Sequence, residues 1–372
     1  MDIKLIPFSC CLFYKGYRQS ILIDTQRLEL KIIPNTLVDF IDECNKYSYN
    51  DILKKFNKQK DIIQEYADFL LENEYCFFTS ESTSFPKMKL DWNFPSQISN
   101  AIVDINNLNN IYIEELIKQL DDINCFHLQL RFLRKISTND LLAVLECTKK
   151  FNFRTINLVL DSFSINNENT FIDNICKYDN IYEIIIYNSD IENRQQLSTK
   201  LMGEIKKIKE NILSKNECGK IKKKYFSPNI LSISESQCHN TCLNRKIGID
   251  TNGEIKNCPS CSKSYGNIKN TTLAEAIEKP GFKDLWYITK DKIDVCKDCE
   301  FRHICTDCRV YIKDPDNIYS QPSKCTYNPY IAKWEGEESY VPVEECGTYS
   351  RETGFIPNKR KINKLNNTIW GE

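Results

Sequence analysis

Three Cys-x-x-Cys pairs, Cys258/Cys261, Cys296/Cys299 and Cys305/Cys308, lie close together in the last third of this 372-residue chain. Two cysteines separated by two residues can turn both sulfurs toward one ion, but a complete shell needs two more thiolates from elsewhere. One pair is weak evidence; three in one stretch point to bound metal. The distribution of all 18 cysteines sharpens this reading. Cys10, Cys11, Cys44, Cys76, Cys125, Cys147, Cys176 and Cys218 are scattered, mostly inside apolar segments such as LAVLECTKKF, and read as buried small hydrophobes. The others fall between Cys238 and Cys346.

The compartment decides what such a cluster means. Secreted chains use dense cysteines as disulfides, whereas a reducing cytosol leaves them free for metal or redox chemistry. The opening MDIKLIPFSCCLFYKG has a short apolar run flanked by Lys4 and Lys15 with no small-residue cleavage site, so it reads as a strand. No apolar stretch approaches the ~20 residues of a membrane span. A cytoplasmic, membrane-free location is expected. Charge is balanced, with 50 basic against 51 acidic residues and no long basic run, which argues against a nucleic-acid partner.

Along the chain the character changes three times. Residues 1–82 read as a small α+β module: extended segments IKLIPFSCCLFY, GYRQSILID and RLELKII in an antiparallel meander, then helices TLVDFIDECNKY, YSYNDILKKF and DIIQEYADFLLENEY, and a closing strand CFFTS. Residues 88–225 alternate apolar runs NAIVDI, FHLQLR, TINLVL and YEIIIY with amphipathic stretches IEELIKQLDDI, TNDLLAVLECTKKF and ENTFIDNICKY. Such repeats imply βαβ crossovers and a parallel sheet, open or curved into a partial barrel, with strands buried on both faces. With 11 glycines in all, there is little room for a phosphate-binding loop. Residues 226–335 are cysteine-rich: a hairpin KIGIDTNGEIKNC turning through Asn252-Gly253, a helix TTLAEAIEKPGFKDLW capped by Thr271 or Thr272, and the dense run CKDCEFRHICTDCR. Residues 336–372 read as a polar tail. The expected fold class is α/β.

The spacing over 238–325, with the phrases CLNRKIGIDTNGEIKNCPSC, CKDCEFRHICTDCR and SKCTYNPY, resembles the SPASM domain of radical S-adenosylmethionine peptide maturases, in particular those of grasp-with-spasm systems. That resemblance implies two [4Fe–4S] clusters. One would be held by Cys238, Cys242, Cys258 and Cys308, the other by Cys296, Cys299, Cys305 and Cys325, leaving Cys261 as a spare or extra ligand. Cys305 and Cys308 are separated by two residues where three are commoner in the family, a departure that touches the first assignment. His239 and His303 stand beside ligand positions and read as hydrogen-bonding neighbours. The strands-then-helices order of residues 1–82 resembles the PqqD-like winged-helix module that captures leader peptides of ribosomally made peptides. The implied partners are a ribosomal precursor peptide and an ATP-grasp ligase. The middle region would then be a degenerate radical-SAM-like partial (β/α) barrel.

That family's reductive cluster needs CxxxCxxC after the first barrel strand, and the chain has none. NNLNNIYIEELIKQL, which follows NAIVDI, lacks cysteine; Cys238 and Cys242 have the first spacing, but Arg245 stands where the third ligand would be. No residue is therefore assigned to S-adenosylmethionine, and catalysis is left open. Three readings compete: an iron–sulfur protein of peptide maturation whose clusters serve structure or electron transfer, a zinc-stabilised interaction scaffold without redox role, and an active radical enzyme with unorthodox ligands.

Overall fold

The computed structural model describes residues 3–108, 112–165, 167–197, 203–211 and 218–371. Two compact units emerge, each assembled from separate stretches of chain. Unit one comprises Met1–Trp92, Ile221–Thr241 and Ile288–Glu372; unit two comprises Asn93–Lys220 and Cys242–Tyr287.

Unit two is built on an eight-stranded, mostly parallel sheet. Strands Asn100–Ile105, His127–Phe132, Thr155–Asp161 and Ile181–Tyr187 lie side by side in parallel, as the recurring apolar runs predict. Glu204–Lys207 extends the sheet beyond Ile181–Tyr187, and Lys246–Ile249 adds to its other side, parallel to Asn100–Ile105. Antiparallel edge strands Asn193–Gln196 and Ile255–Lys256 complete it. Three helices fill the crossovers. Ile113–Asp122 has no side-chain cap, whereas Ser137 caps Thr138–Thr148 and Asn167 caps Glu168–Ile175, each accepting a backbone N–H at 3.1 Å. Their apolar stripes (Leu116, Leu120, Leu141, Leu145, Phe171, Ile175) pack on Val103, Leu130, Leu158 and Ile184.

The expectation of strands buried on both faces holds for Thr155–Asp161, where the consecutive Leu158, Val159 and Leu160 are all buried, and not for every strand. His127–Phe132 alternates half-buried and buried residues along its length, so one face carries the helices and the other is partly open. Neighbouring residues in a strand point to opposite faces, and Asp104 and Arg131 occupy the open one. They form a two-point ion pair, Arg131 Nε to Asp104 Oδ1 at 2.5 Å and Nη2 to Oδ2 at 2.8 Å. The hairpin Lys246–Lys256 is also corrected in detail. Asp250 pairs with Glu254, and the loop is the three residues Thr251, Asn252 and Gly253. Gly253 takes φ +80, the left-handed position that such a loop requires. Helix Leu273–Glu278 follows, closed by a capping box between Thr272 and Glu275.

In unit one, the first extended segment breaks after Pro7. Strand Lys4–Pro7 pairs antiparallel with the closing strand Cys76–Thr79, and only Cys11–Lys15 joins the meander with Ser20–Asp24 and Glu29–Ile33. Helices Asn35–Cys44, Tyr49–Lys55 and Lys60–Glu72 cover one side. The central strand Ser20–Asp24 is buried at every position. Leu22 belongs to the core formed with those helices, while Ile21 and Ile23 face Phe301, Ile304, Cys305 and Tyr327. The amino-terminal sheet is thus sandwiched between its own helices and the cysteine-rich segment.

The last forty residues, poor in apolar signals, nevertheless fold. Hairpin Gly347–Ser350/Gly354–Pro357 and helix Lys359–Trp370 contribute Phe355 and Ile362 to a core with Val295, Tyr330, Ile331 and Cys346. The helix is capped by Asn358 and stops at Gly371, φ +72. Ile362 and Asn366, one turn apart, are buried, and Leu365 and Ile369 pack partly buried against the same core. Among the described residues no helix is long and apolar enough to cross a membrane.

Candidate metal centre

Cys296, Cys299, Cys305 and Cys325, spread over thirty positions of sequence, line one cavity in unit one together with Lys290, Arg302 and Tyr327. Local structure explains how. Cys296 opens a single 3-10 turn, and Cys299 N–H donates to the Cys296 carbonyl at 3.0 Å, so the pair curls back on itself. A second 3-10 turn, Glu300–His303, brings Cys305 round, with its N–H on the Phe301 carbonyl at 3.1 Å. Cys325 arrives from a turn tied by its N–H to the Pro322 carbonyl at 3.2 Å. Immediately before Cys296, Val295 sits at φ +66, a conformation a β-branched residue adopts only when its surroundings impose it. Val295 is 3% exposed and anchored in the carboxy-terminal core, which supplies that constraint.

The four sulfurs are not drawn into a single-ion geometry. Tetrahedral zinc at about 2.3 Å from each sulfur would set the sulfurs about 3.8 Å apart. Among the described residues, the group of three ligand atoms within 4.8 Å of one another is Cys10, Cys11 and Asp24, so no three thiols of the cavity are that close.

Burial dominates the electrostatics. It pushes the Cys296 thiol up to about 12 and raises Cys299 and Cys305, the neighbouring cysteines adding to the effect. Opposing it is Lys290, a buried lysine whose Nζ donates to Cys305 Sγ at 3.3 Å. Burial works against the lysine's charge, yet Cys305, Cys296 and Asp307 outweigh it and push its pKa up. A permanent cation among thiols favours their deprotonated, metal-binding form. Lys290 is the functional candidate that sequence reasoning missed; six residues before Cys296, it carries no motif signal.

The surrounding shell is rigid. Phe301 packs its ring 4.9 Å from Phe226 and 5.2 Å from Tyr327, and Trp334 lies 4.8 Å from Tyr327. The Glu300 carboxyl, fully buried and pushed up by that burial, accepts from Tyr327 Oη and, at 2.7 Å, from Gln19 Nε2. Arg302 bridges Asp291, the Lys15 carbonyl and the Cys299 carbonyl at 2.9, 2.8 and 3.0 Å. Gly16 fits where nothing larger does: a Cβ there would come within 2.8 Å of the Glu300 nitrogen. The amino-terminal hairpin therefore supports the cysteine loop directly.

The remaining candidates are distributed between the units. Cys238, at the end of helix Ile230–Cys238, and Cys308 belong to unit one; Cys242, Cys258 and Cys261 belong to unit two. Cys308 is flanked by a buried ion pair, Arg309 Nη2 to Asp307 Oδ1 at 2.5 Å, with Asn240 donating to Asp307 Oδ2 at 2.7 Å. His303 is buried, its Nδ1 3.1 Å from the Ser236 hydroxyl, and burial lowers its pKa to about 4, so it stays neutral. The His239 ring lies tilted against Trp92, with centroids 5.2 Å apart.

A groove of about 580 Å³ lies beside edge strand Cys11–Lys15 and helix Asn35–Cys44, lined by Phe8, Phe13, Val38, Ile41, Phe85 and Met88 among others.

No protein-family model matches this chain, and no curated protein matches it. Similar solved structures include SuiB from Streptococcus suis bound to S-adenosylmethionine, 13% identical over 86% of this chain and 99% of that one, with a TM-score of 0.34. SuiB bound to precursor peptide SuiA is 11% identical over 86% and 98% of the two chains, again with a TM-score of 0.34. At that level of likeness nothing about cofactor, substrate or partner carries over to this chain.

Proposed function

We propose that the chain is an iron–sulfur protein of peptide maturation, with a thiolate-ligated cluster in the unit-one cavity and a ribosomally made precursor peptide as its partner. One observation carries the metal half: Cys296, Cys299, Cys305 and Cys325 converge on a single cavity around the buried Lys290 cation. Four thiolates complete the shell of a [4Fe–4S] cluster and leave no iron open to substrate, so the centre would serve structure or electron transfer. The chain supplies the desolvated pocket, the compensating cation and the aromatic wall; the cluster would supply one-electron chemistry.

The peptide half rests on the groove in residues 1–92. A sheet edge beside an apolar trough is a recurring way to take an extended peptide, main-chain hydrogen bonds giving affinity and pockets giving specificity. The ATP-grasp ligase belongs to the same reading as the activity acting beside this chain on the same precursor.

Anaerobic purification tests the metal half. Brown protein with broad absorption near about 400 nm and iron matched by acid-labile sulfide supports it; colourless protein carrying zinc without sulfide returns the scaffold reading. Co-purification with the precursor encoded beside the gene, abolished by Phe13→Asp in the groove, tests the peptide half. Formation of 5′-deoxyadenosine from S-adenosylmethionine under reducing conditions would instead place the chain among active radical enzymes.

A further inference from the structure

The amino-terminal sheet gathers three ligand atoms of its own, on residues that do not line the cavity around Lys290. Among the described residues, Cys10 Sγ, Cys11 Sγ and a carboxylate oxygen of Asp24 all lie within 4.8 Å of one another. Sequence alone marks both cysteines as idle thiols, since neither belongs to a CxxC pair. Local structure explains the convergence. Successive residues of a regular strand point to opposite faces. Cys10, however, stands in the turn just before strand Cys11–Lys15, closed by the Cys11 N–H on the Phe8 carbonyl at 2.9 Å. The turn brings the Cys10 thiol to within 4.0 Å of Cys11 Sγ. Asp24 sits directly opposite Cys11 in the antiparallel pairing with Ser20–Asp24, so these two side chains share a face.

The three groups are held in place. The Cys10 carbonyl accepts the Thr25 N–H at 2.9 Å and the Thr25 hydroxyl at 3.1 Å, which ties the turn to the end of the central strand. Asp24 Oδ1 accepts the backbone N–H groups of Gln26 and Arg27 at 2.9 and 3.0 Å, fixing the orientation of the carboxylate. The Arg27 guanidinium lies 3.6 Å from Asp24 Oδ2. Cys11 and Asp24 are 4% and 2% exposed, whereas Cys10 is half-buried and opens the cluster to solvent. Tetrahedral zinc would set two sulfur ligands about 3.8 Å apart, close to the 4.0 Å between Cys10 and Cys11. A disulfide would need about 2.0 Å, and two thiols are too few to hold a four-iron cluster.

We propose that Cys10, Cys11 and Asp24 form a mononuclear site for a thiophilic divalent ion of the zinc class, with Arg27 as its charge-compensating neighbour and water in the fourth position. On binding, the ion displaces the two thiol protons to solvent. Two thiolates and a carboxylate then exceed the charge of the ion by one, and the guanidinium offsets the excess. The mixed sulfur and oxygen donor set favours zinc over monovalent copper, which soft sulfur ligands select. An ion so placed staples the turn after Pro7 to the end of the central strand, and it stabilises the chain by binding only where the fold has brought the three ligands together. The site is independent of the centre around Lys290 and of any role in peptide maturation.

The test uses the full chain, purified anaerobically, offered zinc and dialysed against a weak chelator, with zinc, iron and sulfide counted per folded chain. Cys10→Ala and Asp24→Asn should each retain one zinc fewer than the unaltered chain, with iron and sulfide unchanged. Both substitutions respect the fold: Cys10 is half-buried, and asparagine keeps the side-chain oxygen that accepts from Gln26 and Arg27. Cys147→Ser should retain the full zinc content. The difference is read against the unaltered chain, so it holds whether the cavity around Lys290 carries iron or zinc. In a second readout, zinc should raise the thermal unfolding midpoint of the unaltered chain more than that of Cys10→Ala. Equal zinc in the unaltered chain, Cys10→Ala and Asp24→Asn overturns the proposal, as does a Cys10–Cys11 disulfide in the anaerobic protein.

Discussion

The thiols of the two units share one sequence motif and differ in electrostatics. In unit one, burial pushes the Cys296 thiol up to about 12, with Lys290 the opposing cation. In unit two, the Cys261 thiol, Lys246, the Ser260 N–H and Arg131 together outweigh burial and bring Cys258 down to about 6. Identical CxxC spacing thus yields, in one place, a buried pocket where desolvation outweighs a lysine and, in the other, a knuckle where hydrogen bonds and cations outweigh burial. Spacing decides which sulfurs can meet; the neighbours that tertiary structure supplies decide what charge they can hold.

The most severe way to break the comparison is to remove a ligand from the unit-one pocket. Cys299→Ser or Cys305→Ser should abolish the unit-one centre and leave the protein aggregated or depleted of colour. Losing a ligand leaves the other buried thiols without their centre, so the cost should be a large fraction of whole-domain stability, about 5–15 kcal/mol. Metal analysis and solubility check this; full retention of metal would refute the grouping.

Next in size is the buried pair beside Cys308. Asp307→Ala strands Arg309, whose remaining partners are the Ile318 and Ser320 carbonyls at 3.0 and 2.8 Å. A loss of about 3–5 kcal/mol in chemical denaturation is expected. A smaller effect should follow from Gly16→Ala, whose new Cβ would press on the Gln19 carbonyl and the Glu300 nitrogen. About 1–3 kcal/mol should be lost, with a change in the unit-one cluster's spectrum because the cysteine loop rests on that hairpin. An unchanged spectrum would show that the hairpin contributes stability only.

The smallest effect is expected from a scattered thiol. Cys147 lies on helix Thr138–Thr148, half-buried against the unit-two core, and Cys147→Ser should cost about 1 kcal/mol or less while leaving the metal content unchanged. Equal metal loss from Cys147→Ser and Cys299→Ser would dissolve the distinction between clustered and idle cysteines.

Much of this architecture is legible in the chain itself. The recurring apolar runs mark the four parallel strands because a buried strand and an amphipathic helix have different periods, and Thr272 with Glu275 spells out a helix start. The second buried face of the amino-terminal sheet was also written in the sequence, since three consecutive apolar residues, Ile21, Leu22 and Ile23, cannot all point to one side of a strand. Lys290 was not legible: it has no local pattern and gains its meaning from Cys305, which the fold brings to it. The carboxy-terminal helix is hard to read because Ile362, Leu365 and Ile369, its apolar residues against the core, are interleaved with lysines and asparagines.

Cys325 provides the most direct test of the central claim, because it lies outside the dense run and must cross the fold to close the unit-one site. Iron and sulfide should be counted in folded, anaerobically prepared Cys325→Ser protein and in the unaltered chain. The account predicts that this one substitution removes the unit-one centre's iron and sulfide, together with the corresponding absorption near about 400 nm. Undiminished iron and sulfide in the variant would contradict it.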